Sequence, residues 1–280
     1  MLSLKKDSES ERDIVKILIT DGDYKHTLGM VRSLSKEGYT VDCIGSQKSV
    51  CRLSRHLNAI AFPQNKFNDL YFADFITFLE KSDYKILIPV GGSSVDLISR
   101  HRNELPKHVC VVMSDKQAIS ACLDKKKTIE LAQQQKIPYP RSWVFSDIKE
   151  FSSYTGQYLY PLVVKGSNEL EKINPIYVEN KRQLELAIQK YKSNKFPIIQ
   201  EYVYGDGVGF FALYDRGVLR RYFMHKRIRE NPPTGGASCC AISFYDDRLY
   251  KYGKALLDSL NWHGIAKVEF KRDASTGELM

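Results

Sequence analysis

Pro161-Leu162-Val163-Val164-Lys165 is the stretch on which the reading of the fold turns. Three apolar residues behind a proline are too few for a helix and suit a buried strand. The lysine at its end sets one cation at the rim of a sheet. It either snorkels there as an ordinary strand-end lysine or holds a phosphate by charge. Downstream, residues 197–203 carry a second strand, Ile198-Ile199-Gln200-Glu201-Tyr202-Val203, ending in Tyr204-Gly205-Asp206-Gly207, which reads as a turn. Backbone groups at such a strand end can bond the edge of an adenine, and a nearby acid a ribose hydroxyl. A hairpin with an exposed acidic edge would read the same way. Gly205, Gly207 and Gly209 have the spacing of a dinucleotide fingerprint, but residue 210 is Phe and the flanks are strand–turn–strand, so that motif is excluded. Gly253-Lys254 runs on into Ala255 within a helical pattern, so there is no Walker A loop either.

Beyond these strands, residues 209–214 form another strand, and Arg216-Gly217 turns it into residues 218–225. Lys226, Arg227 and Arg229 lead into Glu230-Asn231-Pro232-Pro233-Thr234-Gly235-Gly236-Ala237-Ser238. These guanidinium groups either stand beside a mobile glycine-rich loop and grip a phosphate or carboxylate, or flank a plain flexible surface loop. Residues 249–260 are helical, and Gly264-Ile265-Ala266-Lys267-Val268-Glu269-Phe270 is a strand. Glu269, a lone acid between Val and Phe, either faces solvent or meets a positive partner such as a metal. Residues 271–278 read as a turn, and Leu279-Met280 as the start of a returning strand. A hairpin ending there is expected to be a truncated one.

Upstream of residue 114, strand and helix signals alternate. Residues 16–20, 40–44, 85–90 and 109–113 are strands, and residues 27–37 and 69–80 are helices with apolar residues at helical spacing. Gly38 stands where a helix C-cap belongs, and a serine of Gly91-Gly92-Ser93-Ser94 is placed to cap a helix. The expected architecture is an N-terminal α/β open parallel sheet followed by α+β units. Residues 114–117 open one helix, Asp124-Lys125-Lys126-Lys127 opens a second as far as Gln135, and residues 182–191 form a third. Three lysines in a first turn oppose the helix dipole, whether the turn is merely solvated or an anion lies nearby.

The bulk properties narrow the function. A formal charge of +9 (42 basic less 33 acidic residues) suits an anionic partner, a phosphorylated small molecule or a nucleic acid. No apolar run reaches membrane-spanning length, and residues 1–13 are polar and read as a tail rather than a leader. The six cysteines form no C-x-x-C pair and no zinc spacing, as expected of reduced thiols in a cytoplasmic protein. The six histidines form no triad-like spacing.

In order along the chain, Cys122-Leu123-Asp124-Lys125, Ile137-Pro138-Tyr139-Pro140, Pro161–Lys165, Gln200–Gly207, His225-Lys226-Arg227, residues 232–238 and Gly264–Phe270 resemble the ATP-grasp superfamily. The likeness is to its carbamoyl-phosphate-synthase-like, carboxylate–amine ligase branch. It implies a pre-ATP-grasp domain over residues 14–114, a first ATP-grasp subdomain over 115–196 and a second over 197–280, incomplete at its C-terminus. It implies ATP with Mg²⁺ or Mn²⁺, an acyl phosphate made from a carboxylate, and attack by an amine or similar nucleophile. Lys125 and Lys165 would hold the phosphates. Gln200, Glu201, Tyr202 and Val203 would form the adenine hinge, with Asp206 near the ribose. Glu269 would bind the metal, and Arg227 or Arg229 would stabilise the acyl phosphate. The partners would be small-molecule acids and amines, with neither membrane nor nucleic acid, and a homodimer fits. The alternatives are carbamoyl-phosphate-synthase-like phosphorylation of carboxy compounds and a non-catalytic nucleotide- or nucleic-acid-binding protein. Two departures stand out. Lys165 is followed by Gly166-Ser167-Asn168-Glu169-Leu170-Glu171, with one glycine and two acids where a glycine-rich phosphate loop is usual. The further acid and asparagine for the metal would lie past residue 280. Weak nucleotide binding and poor turnover are therefore expected.

Overall fold

The computed structural model describes residues 15–46, 48–62, 69–171, 173–191, 195–231 and 236–280. The tail read at residues 1–13 and most of the Pro-Pro/Gly-Gly stretch at 232–235 lie outside them. The chain divides into two units, Met1–Met113 and Ser114–Met280.

The first unit holds β1 (Lys16–Ile19), α1 (Lys25–Lys36), β2 (Thr40–Ile44), β3 (Ala59–Phe62), α2 (Phe72–Glu80), β4 (Ile86–Ile88), α3 (Gly92–Arg100) and β5 (Cys110–Val111). Its five strands are all parallel in the order β3-β2-β1-β4-β5. Ile17, Leu18, Ile19, Val41, Cys43 and Leu87 are almost wholly buried, as strands covered on both faces require. Asp42 is buried among them (2% exposed), and it accepts from Tyr84 Oη at 2.6 Å and Asn58 Nδ2 at 2.7 Å, so its carboxylate is not left unsatisfied. Strand β3 has no counterpart in the sequence reading. The serine expected to cap α3 does not do so: the N-cap is Gly91, without a side-chain bond. Ser94 instead donates to Asp21, whose carboxylate also accepts from Gly91 N at 2.7 Å.

The second unit opens with α4 (Lys116–Leu123) and α5 (Lys125–Gln134), capped by Asp115 and Asp124. Then follow β6 (Ser142–Val144), α6 (Ile148–Ser153), β7 (Leu162–Lys165), β8 (Ile176–Val178), α7 (Lys181–Lys190) and β9 (Ile198–Glu201). The four strands form an antiparallel sheet in the order β6-β9-β7-β8. Strand β9, at the start of the stretch assigned to the second subdomain, thus pairs within the first sheet. The core of this part joins Trp143, Phe145, Leu162, Val164, Val178, Leu184 and Ile199.

A second antiparallel sheet follows from β10 (Gly205–Asp215), β11 (Val218–Asn231), β12 (Ala237–Ser243) and β13 (Gly264–Asp273), in the order β12-β11-β10-β13, with α8 (Asp247–Ser259) before β13. Two expectations change here. Gly205-Asp206-Gly207 is not a turn but the start of β10, paired with β13. The strand expected over residues 218–225 runs on as β11 as far as Asn231, carrying Arg227 and Arg229 and bulged on either side of Arg229. Alternation divides the sheet into two faces. Val208, Phe210, Ala212, Tyr214, Met224 and Phe270 are buried, and Gly253 of α8 packs on the Phe210 ring, where an added Cβ would lie 2.5 Å from Cδ1. The other face carries Gly207, Gly209, Arg227, Lys267 and Glu269.

The passage from β9 into β10 depends on Gly205. Its φ is +149°, and a Cβ there would meet Arg272 O at 1.8 Å. Neither that backbone conformation nor that approach is open to another residue. Gly205→Ala is expected to destabilise the protein by roughly 2–4 kcal/mol, lowering the melting temperature by about 5–15 °C. An unchanged melting curve would show that the junction tolerates a side chain.

Candidate functional site

Lys165 ends β7 with its ammonium deep in the unit. Desolvation first, and then the charge of Lys125, push its pKa down to about 8, while Glu169 and Glu269 pull it back up. The ammonium donates to Gln200 Oε1 at 2.5 Å. Gln200 Nε2 donates to Ser142 Oγ at 2.7 Å, and Ser142 Oγ donates to Pro140 O at 2.7 Å. A chain of hydrogen bonds across β7, β9 and β6 thus holds the lysine head in place.

Lys125 stands at the first position of α5. Asp124 caps the helix by accepting from Lys126 N at 3.0 Å and Lys127 N at 3.4 Å, which leaves the three lysines to different partners. Lys127 Nζ donates to Ser120 Oγ at 3.0 Å, and Lys126 lies 4.0 Å from Glu130 on the helix surface. Lys125 alone turns toward the loop after β7, where its ammonium is bonded to Glu169.

Glu269 arrives from the second sheet. It lies opposite Gly209 on β10, with His225 on that glycine's other side. Its carboxylate is bonded to both Arg227 and Lys267. Burial alone would raise its pKa, but Lys267 and Arg227 hold it below the usual glutamate value. Half of the side chain (52%) remains reachable by solvent, so the carboxylate is recessed but open to exchange of partners. Arg227 also donates to Glu230 at 3.1 Å. A cavity of about 570 Å³ opens beside it, lined in part by Gly207, Arg229, Asn231 and Cys239.

The structure therefore brings Lys125, Lys165, Gln200, Arg227 and Glu269 into one electrostatic neighbourhood. Glu201 and Tyr202 stand at the end of β9. The Glu201 carboxylate accepts from Arg141 N at 2.7 Å, and Tyr202 N donates to Pro161 O at 3.0 Å. Val203 is buried just beyond. Arg229 is exposed in its bulge. Asp206 alternates with Gly207 onto the other face of the sheet, pairs with Lys226 at 2.6 Å and still contributes to the lining of the same cavity.

Four neighbours were missed in the sequence. Lys267 could have been found, since it precedes Glu269 by two residues on one strand and must share its face. His225 belongs to no triad-like spacing in the sequence. Burial, then Lys267 and Arg227, lower its pKa, with Glu269 opposing, and its buried Nε2 has no partner among the described residues. Ser142 carries no local signal and Glu169 only that of an acid in an expected glycine-rich loop, because a tertiary contact selects each.

No family model matches the chain. The D-aspartate ligase of Enterococcus faecium (strain Aus0004) is 22% identical over 301 residues, covering 97% of this chain and 70% of the relative. The biotin carboxylase domain of 2-oxoglutarate carboxylase from Hydrogenobacter thermophilus, a dimer with MgADP, ADP and bicarbonate, superposes with a TM-score of 0.71 at 14% identity, over 94% of this chain and 62% of its own. The L-amino acid ligase from Bacillus licheniformis gives a TM-score of 0.68 at 17% identity, over 95% and 65% of the two chains. These neighbours are ATP-grasp proteins, and the chain has the ATP-grasp fold along nearly its whole length.

Proposed function

We propose that the chain is an ATP-dependent ligase that activates a carboxylate as an acyl phosphate and passes it to an amine. The observation that carries this reading is that Lys125 and Glu269, from elements far apart in sequence, both act electrostatically on Lys165, in a chain 22% identical to a D-aspartate ligase. In the same reading residues 14–114 are the pre-ATP-grasp domain, and the remainder is the ATP-grasp unit.

The residues present suit a nucleotide. A depressed, recessed lysine gains most from a phosphate, because an anion relieves both its desolvation and its repulsion from Lys125. Gly207 and Gly209 keep the face of β10 flat: a Cβ on Gly207 would meet Arg227 Cδ at 2.7 Å, and one on Gly209 would meet His225 Nε2 at 3.2 Å. In this reading the backbone just past β9 meets the base edge, since the amides of Glu201 and Tyr202 are themselves bonded to Arg141 O and Pro161 O. For a metal the fit is narrower. Among the described residues no three His, Cys, Asp or Glu side chains converge. A magnesium held by one carboxylate and by phosphate oxygens matches what Glu269 can offer, and Mn²⁺ would sit the same way. Bound MgATP would supply the phosphoryl group.

Within that frame each residue has its own task. Lys125 and Lys165 neutralise phosphate charge, and Gln200 keeps the Lys165 head aimed. Arg227 and Lys267 set the charge of Glu269 in the free protein, and Arg227, with Arg229 at the cavity, offers guanidinium groups to an anionic substrate. The amine must arrive as a small molecule. A homodimer, the state of one structural neighbour, is compatible with this chemistry. No described helix is long and apolar enough to cross a membrane.

The direct test is ADP release from ATP and Mg²⁺ with a panel of amino-acid carboxylates and amines. Release is expected only when an acid and an amine are both present. Lys165→Ala and Glu269→Ala are each expected to lower it by about a hundredfold or more. Release by both variants at the unsubstituted rate would remove the site. A second test uses pH. The charged form of Lys165 binds phosphate, and that form is lost as pH rises through about 8. ADP affinity is therefore expected to be nearly flat below pH 7 and to fall by up to about tenfold per pH unit above 8. Lys165→Met is expected to remove that slope. A slope that survives the substitution would assign it to another group.

A further inference from the structure

The contact that holds Lys125 is built into the backbone. The loop after β7 runs antiparallel to the junction of α4 and α5: Lys125 N donates to Ser167 O at 2.9 Å, Glu169 N donates to Leu123 O at 2.9 Å, and Asp124 and Asn168 form a bridge between them. The loop is also tied within itself. Leu170 N donates to Asn168 Oδ1 at 2.8 Å, and Tyr191 Oη donates to Glu171 at 2.8 Å. Two main-chain hydrogen bonds thus set the Cα positions of Lys125 and Glu169, and their side chains meet between them. The other acid at the junction, Asp124, is occupied as the cap of α5 and lies 3.6 Å from Lys195.

The pair is unequal. The Lys125 side chain is 22% exposed and that of Glu169 is 55% exposed. The cation is recessed, and the anion lies on the open side, free to swing away while the backbone stays fixed. Glu169 also acts on Lys165 through its field, so one carboxylate is the counter-charge of both lysines.

We propose that Glu169 is a built-in stand-in for phosphate: it holds the Lys125 ammonium in place until a nucleotide phosphate displaces it, and recaptures it when the nucleotide leaves. This rests on Lys125 as a phosphate-holding residue. Glu169 is then a positioning residue that weakens nucleotide binding in return for a preformed site and easier release. The acid in this loop is what distinguishes the chain from one whose phosphate loop is only glycine-rich.

Calorimetric titration of MgADP into the full chain and into Glu169→Gln, Lys125→Ala and the double variant tests this. Glu169→Gln is expected to bind ADP about three- to tenfold more tightly than the unsubstituted chain, since the competing charge is gone. In the Lys125→Ala background the same substitution is expected to change affinity by less than about twofold, because the bonded ammonium is gone and only the field of Glu169 on Lys165 remains. Unchanged or weaker binding by Glu169→Gln would overturn the proposal, with the nucleotide site itself intact. Tightening that persists undiminished in the Lys125→Ala background would overturn it too, as a general effect of charge. Absence of ADP binding by every variant, the unsubstituted chain included, would remove this inference together with the functional reading beneath it.

Discussion

Everything about the site follows from one uncomfortable placement, a partly buried ammonium group at the end of a strand within the field of a second ammonium. Burial and like charge both favour the neutral form of Lys165, and its pKa falls to about 8. The fold tolerates this because two carboxylates act on the lysine from different directions and because Gln200 accepts directly from it, held in turn by Ser142. The polar chain crosses three strands, so the lysine position and the order of the sheet are one constraint. An arrangement of this kind has little to recommend it as a stabiliser, since a buried charge seldom repays its desolvation. It is understandable as a site left ready for a polyanion.

The second sheet answers the same need by division of labour between its faces. One face is apolar and packs on α8, with Gly253 letting the helix approach Phe210. The other keeps two glycines where side chains would fill the space, and ranges Arg227, Lys267 and Glu269 around them. Glu269 on this face has two cations, so it is already ionised and neutralised before any metal comes. A metal arriving on phosphate would exchange with those cations rather than enter an empty cage. Glu169 gives Lys125 the same treatment, and both ends of the site are therefore held in order by interchangeable counter-charges.

Much of this was legible in the chain because the decisive signals were local. The apolar run before Lys165 suits a buried strand, Asp124 opens the helix expected from it, and the alternating strands and helices of the first unit specify a parallel sheet. The failures were tertiary. Gly205-Asp206-Gly207 has the composition of a turn, but pairing with β13 draws it into a strand, and the strained φ of Gly205 explains its glycine. Arg227 and Arg229 sit among residues that look like loop, yet β12 supplies the partner that makes them strand. Ser94 has the look of a cap, and Asp21, 73 residues away in sequence, claims its hydroxyl. Glu169 was noticed as an oddity of composition, and only the bridge between Asp124 and Asn168 shows what its carboxylate meets.

The measurement that goes most directly to the centre of this account is the titration of the Lys165 side chain, followed by NMR of lysine labelled at Cε and assigned through Lys165→Met. The account expects a midpoint near 8 in the free protein, moving up by a unit or more when ADP is added. A midpoint at the ordinary lysine value of 10.5, unmoved by nucleotide, would contradict it.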